Sequence, residues 1–338
     1  MLKNRENQRN GVSIICEIAS AHGGNVDILK KLLVAADNAN SDWVKIQIFQ
    51  FDSLIADEND QFSALKQIEL SSSEWMDVMY FSREIKPKLI VEVFDFPSLQ
   101  LVKDESIVKA FKIPTADLSD RAFVDAVCRI GKPVFIGVGG ATINEIDDIF
   151  EQASAYDVTI TLLHGIQNFP TLLEDSLLEK IQLLRQRYKC DVGFADHVDA
   201  EDIEMARTLP AMAVASGASV IEKHITIDRS EKGFDYYSSL NPDEFKEFVR
   251  HMRHISMAIG SINLDILTNA EKNYRNKMKK FAVLVNDVEK GTMVKDVVVQ
   301  YRRTSSPGIT RKEFEEFNNK IFRSNLAKGI IVNEQHFR

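Results

Sequence analysis

The 338-residue chain reads as an α/β protein: a TIM (β/α)8 barrel over residues 1–260, then a small β-rich C-terminal domain. Three observations predict this. Eight short apolar runs recur, rich in Val, Ile and Phe, and several are nearly continuous in apolar character. Parallel strands look like this because helices cover both faces of their sheet. The segments between the runs carry helical periodicity and helix-start signals. Eight strand–helix repeats in about 260 residues match the count and length of a barrel. A doubly wound open sheet is the alternative, which needs no closure.

The runs, in order, are VSIICEIA (12–19), WVKIQIF (43–49), KLIVEVF (88–94), AFKIP (110–114), PVFIGV (133–138), VTITLLH (158–164), DVGFAD (191–196) and SVIEKH (219–224). Between them, Ser71 with Glu74 and Thr142 with Glu145 have the spacing of capping boxes. Asn241–Pro242 with Glu244 opens another helix in the same way. The pattern changes after Gly260. Residues 261–280 are polar and read as a linker, and FAVLVNDVEKGTMVKDVVVQYRR reads as short strands around a turn at Lys290–Gly291. Residues 281–338 are therefore expected to form a separate small domain. A domain of that size supports little stability alone and is expected to pack on a partner surface.

Composition narrows the function classes. The net charge is −8 and no basic block occurs, so nucleic acid is not an expected partner. No apolar run approaches the ~18–20 residues of a membrane helix. The polar N-terminus MLKNRENQRNG lacks the apolar centre of a signal peptide. Cys16, Cys128 and Cys190 are scattered without CxxC spacing, which argues against a disulfide framework or a structural zinc site and suits a reducing cytoplasm.

A barrel enzyme works at the C-terminal ends of its strands. The residues expected there are Glu17 and His22, Lys45 and Gln47, Glu92 and Asp95, then Lys112, Thr115 and Asp117. Strand five ends in Gly137-Val138-Gly139-Gly140. His164, Gln167 and Asn168 follow strand six, Asp196 and His197 close strand seven, and Glu222 and His224 close strand eight. Lys45 and Lys112 lie within apolar strands, where an inward ammonium needs an anion beside it. Together they point to an anionic substrate, a carboxylate or phosphate. His197 and His224, on adjacent strands, could reach one divalent metal, leaving water or substrate to complete its shell as in catalytic sites. The glycine-rich turn before the helix capped at Thr142 has two readings: a phosphate cradle, or simply a tight strand-to-helix turn.

These motifs resemble one family. EIASAHGGN, WVKIQIF, AFKIPTAD, LLHGIQNFPT, GFADH and GASVIEKHITIDR with GFDYYSSLNPDEF resemble, in the same order, the signatures of the sialic acid synthases. KGTMVKDVVVQYRR with PGI resembles their small antifreeze-like (SAF) domain. The resemblance implies a barrel enzyme that condenses phosphoenolpyruvate with the open-chain aldehyde of an amino sugar, assisted by Mn2+ or Mg2+. By resemblance, His197 and His224 are the metal ligands, and Lys45 and Lys112 hold phosphoenolpyruvate. Glu17 lies near the reacting carbons, and Asp235 joins it among the catalytic candidates. Gln47 and Asp117 fall on the sugar side with Asp235, and Thr115, Gly139, Gln167 and Phe169 join the substrate-binding set. Arg303 matches an arginine delivered to the other subunit's site, implying a domain-swapped homodimer. Glu222 and Lys223 are read as pointing elsewhere or supporting the metal ligands.

The chain departs from the family pattern at Ala21, Glu92, Gly137, Phe169 and Ala195. A carboxylate at Glu92 would repel a phosphate unless a lysine pairs with it or it is protonated. Three readings stay open on sequence: a synthase for a different sugar, a metal-dependent aldolase or lyase using pyruvate or another enolate donor, and a non-catalytic binding subunit. The acceptor is expected to differ from N-acetylmannosamine, with di-N-acetylated 6-deoxy hexoses as candidates.

Overall fold

The eight apolar runs become the strands β1 Ser13–Glu17, β2 Trp43–Ile48, β3 Lys88–Val93, β4 Val108–Ile113, β5 Val134–Gly137, β6 Ile160–His164, β7 Asp191–Asp196 and β8 Val220–His224. They form a closed parallel barrel in sequence order. The computed structural model describes residues 11–56, 58–59, 62–168, 170–260 and 265–338. Closure separates the two candidate architectures. An open sheet would leave β1 at an edge, whereas Glu17 lies opposite Lys45 of β2 on one side and His224 of β8 on the other.

Side chains alternate along each strand, so one parity of residues points into the barrel. Ile15, Ile90, Ala110, Phe135, Leu163 and Val220 form an apolar cluster of their own, with Trp43 packed against it. Two residues further along the same strand faces stand Glu17, Glu92, Lys112 and Glu222, and Lys45 follows Trp43 in the same way. The parity that closes the lower barrel with hydrocarbon thus delivers the charges to its upper mouth. The opposite parity, including Ile14, Cys16, Val44, Ile46, Val91 and Phe111, belongs to the larger core shared with the helices. The three expected capping boxes are present, opening helices Ser72–Phe81, Ile143–Ser154 and Pro242–Ile259.

Two local features hold the mouth in shape. At Gly139 a Cβ would sit 1.7 Å from the Gly165 carbonyl oxygen, and at Gly165, with φ of 139°, a Cβ would sit 2.0 Å from that of Ala195. The loops after β5 and β6 and the end of β7 therefore stack backbone on backbone, and glycine is what permits it. On the outer face of β7 and β8, Lys223 Nζ donates to Asp196 Oδ2 at 2.7 Å, both fully buried. Asp196 Oδ1 also accepts from the Val198 N–H at 3.1 Å.

The chain divides into two compact units, Met1–Ser261 and Ile262–Arg338. In the second, β9 Lys280–Leu284 and β10 Val299–Arg303 pair antiparallel, over a core that includes Leu284, Val294, Phe322 and Phe337. The stretch expected as a linker is not irregular throughout. It contains the helix Asn269–Met278, opened by a Thr268–Glu271 capping box and burying no residue. A helix polar on every side has no apolar stripe to announce it.

Two outcomes test the supports of the mouth. Gly139→Ala forces two backbones apart and is expected to cost about 3 kcal/mol or more. Gly140→Ala meets no atom within 4 Å at its φ of 79° and should cost about 1–2 kcal/mol. Thermal unfolding ranks them, and equal losses would refute the close-approach account. Lys223→Met strands a buried carboxylate and is expected to cost about 3–5 kcal/mol. Adding Asp196→Asn should recover most of that, and no recovery would show that the ion pair is not what the lysine provides.

Candidate active site

Five charged groups from five strands meet at the mouth. Lys45 Nζ donates to Glu92 Oε2 at 2.8 Å and to Glu222 Oε1 at 3.1 Å, and is ion-paired with Glu17. Lys112 Nζ donates to Glu222 Oε1 at 3.0 Å and lies 3.5 Å from Glu92 Oε1. Gln47 Nε2 donates to Glu92 Oε2 at 3.0 Å. The parity of the strands explains the meeting: all five charged residues occupy inward positions one step above the apolar layer.

Burial makes the pairing obligatory, since an isolated charge in such a place would neutralise instead. Burial lowers the Lys45 pKa, against the pull of Glu222 and Glu92. It acts the same way on Lys112, but there Glu222 and Glu92 outweigh it and the pKa is raised. Lys45 also feels the like charge of Lys112, which lowers it further, whereas hydrogen bonds with Lys45 and Glu222 raise Lys112. Burial would raise Glu92 and Glu222, yet Lys112 and Lys45 hold both carboxyls below their usual range.

Beside this network lie His197 and His224, ring centroids 5.0 Å apart. Burial is the main cause that lowers both pKa values, His197 to about 3 and His224 well below its ordinary value, against the attraction of Glu222. Both are therefore neutral imidazoles, the form that binds metal. His224 Nδ1 and Glu222 Oε2 are buried without a hydrogen-bond partner. Those orphaned acceptors and the neutral imidazoles fit a divalent cation. Among the described residues no group of three or more His, Cys, Asp or Glu side chains gathers around one point, so water or substrate would supply the remaining ligands. The backbone supports the pair: the Thr171 N–H donates to the His197 carbonyl at 2.9 Å and the Leu240 N–H to that of His224 at 3.0 Å.

The loop after β1 serves two carboxylates. Ala19 N–H donates to Glu17 Oε1 at 2.6 Å and Ser20 N–H to Asp235 Oδ2 at 3.1 Å. Ala19 and Asp235 both have left-handed φ, 42° and 59°, strain of the kind found at functional sites. Burial raises the Asp235 pKa, partly offset by the Ser20 bond and by Lys45. Asp117, on the turn Thr115–Asp117 after β4, is pushed up to about 6 by burial and then by Asp120, Glu92 and Asp95. Its Oδ2 has no hydrogen-bond partner. Thr115 lies against Gly137, where a Cβ would be 3.1 Å from Thr115 Oγ1.

Other candidates are placed differently. Gly139 serves the backbone stacking described above. The helix N-terminus that follows it is already met by an anion, Glu145, whose Oε2 accepts from the Thr142 N–H at 2.7 Å, so the tight turn accounts for the glycines without a phosphate. Gln167 is exposed on the loop after β6. Phe169 lies outside the described residues. Arg303 ends β10, exposed, in the second unit. His22 Nδ1 accepts from the Gly24 N–H at 3.1 Å, and the His164 ring nitrogen bonds the Ser176 carbonyl at 2.9 Å.

Of the two readings the sequence left for Glu222 and Lys223, pointing elsewhere fits only Lys223, and Glu92 is paired with lysines as its position required. Glu222 does not point elsewhere but lies at the centre of the network, while Lys223 turns outward to Asp196. Parity contained the answer: if His224 faces inward, Glu222 must as well and Lys223 cannot.

A model of the NeuB family matches residues 32–263. An N,N'-diacetyllegionaminic acid synthase of Campylobacter jejuni is 27% identical, covering 95% of this chain and 98% of the relative. A pseudaminic acid synthase of the same species is 29% identical, covering 97% of each. Among solved structures, the N-acetylneuraminic acid synthetase of Leptospira borgpetersenii superposes with a TM-score of 0.73 at 26% identity, over 80% of this chain and 93% of that one. With well over half of its length matched by the family model and the barrel closed as above, the chain belongs to the NeuB family.

Proposed function

We propose that the protein is a nonulosonic acid synthase, condensing phosphoenolpyruvate with an amino-sugar aldose to give a 2-keto-3-deoxy sugar acid and inorganic phosphate. The observation that carries this reading is the pairing, within one barrel mouth, of two buried lysines with two neutral facing histidines. Lys112, the more accessible ammonium, receives the anionic end of the donor, with Lys45 beneath it. In the balanced reaction the donor's enol carbon bonds to the aldehyde carbon, the aldehyde oxygen gains a proton, one water is consumed and phosphate leaves. Mn2+ or Mg2+ held by His197 and His224 would supply Lewis acidity toward the aldehyde oxygen.

The remaining steps rest on the chain's own groups. Glu17, fixed by the Ala19 N–H and by Lys45, is oriented to take or give a proton near the reacting carbons. Asp117, its carboxyl pushed up to about 6 by burial, can donate or accept toward a sugar hydroxyl, with Gln47 and Asp235 on the same side. The name of the Campylobacter N,N'-diacetyllegionaminic acid synthase supports a diacetamido sugar as acceptor. A homodimer in which Arg303 serves the partner copy belongs to the same proposal, as does the antifreeze-like character of the second unit. One observation favours a second reading, a metal-dependent aldolase with pyruvate or another enolate donor: Glu92 already engages both lysines.

Phosphate release from phosphoenolpyruvate tests the proposal directly. With manganese and a panel of 2,4-diacetamido and 2-acetamido aldoses, release should depend on one sugar and stop with chelator. No release with any sugar, alongside pyruvate-dependent condensation, would favour the aldolase. The metal assignment has its own readout. His224→Ala should remove manganese binding followed by electron paramagnetic resonance and leave the unfolding midpoint within a few degrees. Unchanged manganese affinity would reject His224 as a ligand.

A further inference from the structure

Glu17 and Glu222 already balance Lys45 and Lys112, one carboxylate for each ammonium. Glu92 is a third carboxylate, 2% exposed, and it brings the cluster to one negative charge in excess. Neither ammonium depends on it for a counter-charge, since Lys45 also meets Glu17 and Glu222 and Lys112 also meets Glu222, so its presence calls for another account. Its contacts suggest one. Glu92 Oε2 accepts from Lys45 and Gln47, and Oε1 faces Lys112 at 3.5 Å. The two lysines are the donors that an incoming anion would use.

We propose that Glu92 is a specificity-determining residue for the donor: its carboxylate is an internal anion on the lysine pair, and a ligand anion binds by taking its place. This rests on the reading that the Lys45–Lys112 end receives the donor. It has a consequence that depends on ligand charge. The carboxylate penalises each negative charge brought to the lysines, so it disfavours a phosphorylated donor more than a simple carboxylate. Glu92 therefore biases the site toward donors of low charge and makes any phosphorylated donor bind weakly for a site with two lysines.

Calorimetric titration of the full-length manganese-loaded protein with pyruvate, inorganic phosphate and phosphoenolpyruvate tests this. Glu92→Gln should tighten phosphoenolpyruvate by at least about tenfold at an effective interior dielectric of about 20, phosphate by less and pyruvate least. Glu92→Asp, which keeps the charge, should stay close to the unaltered protein. Should Glu92→Gln fold poorly, as judged by circular dichroism, the neutral Glu92→Thr must give the same order. Unchanged or weaker binding of all three anions, an equal gain for pyruvate and phosphoenolpyruvate, or no binding to any variant would overturn the proposal. A graded gain without any sugar-dependent phosphate release would leave the role of Glu92 standing and remove phosphoenolpyruvate as the donor.

Discussion

An ammonium group inside a β-barrel cannot stand alone, and the mouth of this protein is arranged around that constraint. Lys45 is satisfied by carboxylates from three other strands, Glu17 of β1, Glu92 of β3 and Glu222 of β8. Each is supplied at the same height because parallel strands in register place like positions side by side. Lys45 and Lys112 share Glu92 and Glu222, so the network ties five strands to one another. It also polarises the mouth. The sector from β1 to β4 is charged, whereas β5 to β7 contribute Gly137, Gly139, Gly165 and Ala195, residues with little or no side chain.

Most of the barrel was legible in the sequence. Buried parallel strands leave near-continuous apolar runs, and capping boxes mark helix starts with side chains whose only task is local. All eight runs became strands because nothing tertiary competed with those signals. The site was legible in its residue types and less so in its directions. Lys45, Lys112, His197 and His224 stand out as polar residues in apolar strands. Glu222, Lys223 and His224 form a charged triplet at a strand end, and such triplets look like surface. Only the period-two alternation, anchored on the inward His224, separates Glu222 from Lys223. The glycines after β5 left two readings open on sequence. Sequence shows that a backbone comes close to something, and here that something is the neighbouring loop.

The second unit shows the limit of pattern reading from the other side. The helix Asn269–Met278 is signalled solely by Thr268 and Glu271, and its polar faces give no period to detect. A linker and an uncovered helix have the same composition, so only the cap distinguishes them.

Glu222 links the two ends of the site. Its Oε1 accepts from both lysines, while Oε2 is without a hydrogen-bond partner, and its charge acts on both neutral imidazoles. A single carboxylate thus stands between the lysine pair and the histidine pair, the two ends to which the proposed function assigns the donor anion and the metal. A ligand anion that draws Lys112 toward itself weakens that lysine's hold on Oε1 and leaves more of the Glu222 charge to act toward the histidines. Cation density near the histidines does the reverse, relaxing the demand that Glu222 makes on the lysines. Under the proposed function the two ends would be coupled through one residue by ordinary electrostatics, with the reciprocity that thermodynamic linkage requires. The coupling needs no movement of the backbone, because the register of β8 with β1 and β7 has already placed Glu222 between them.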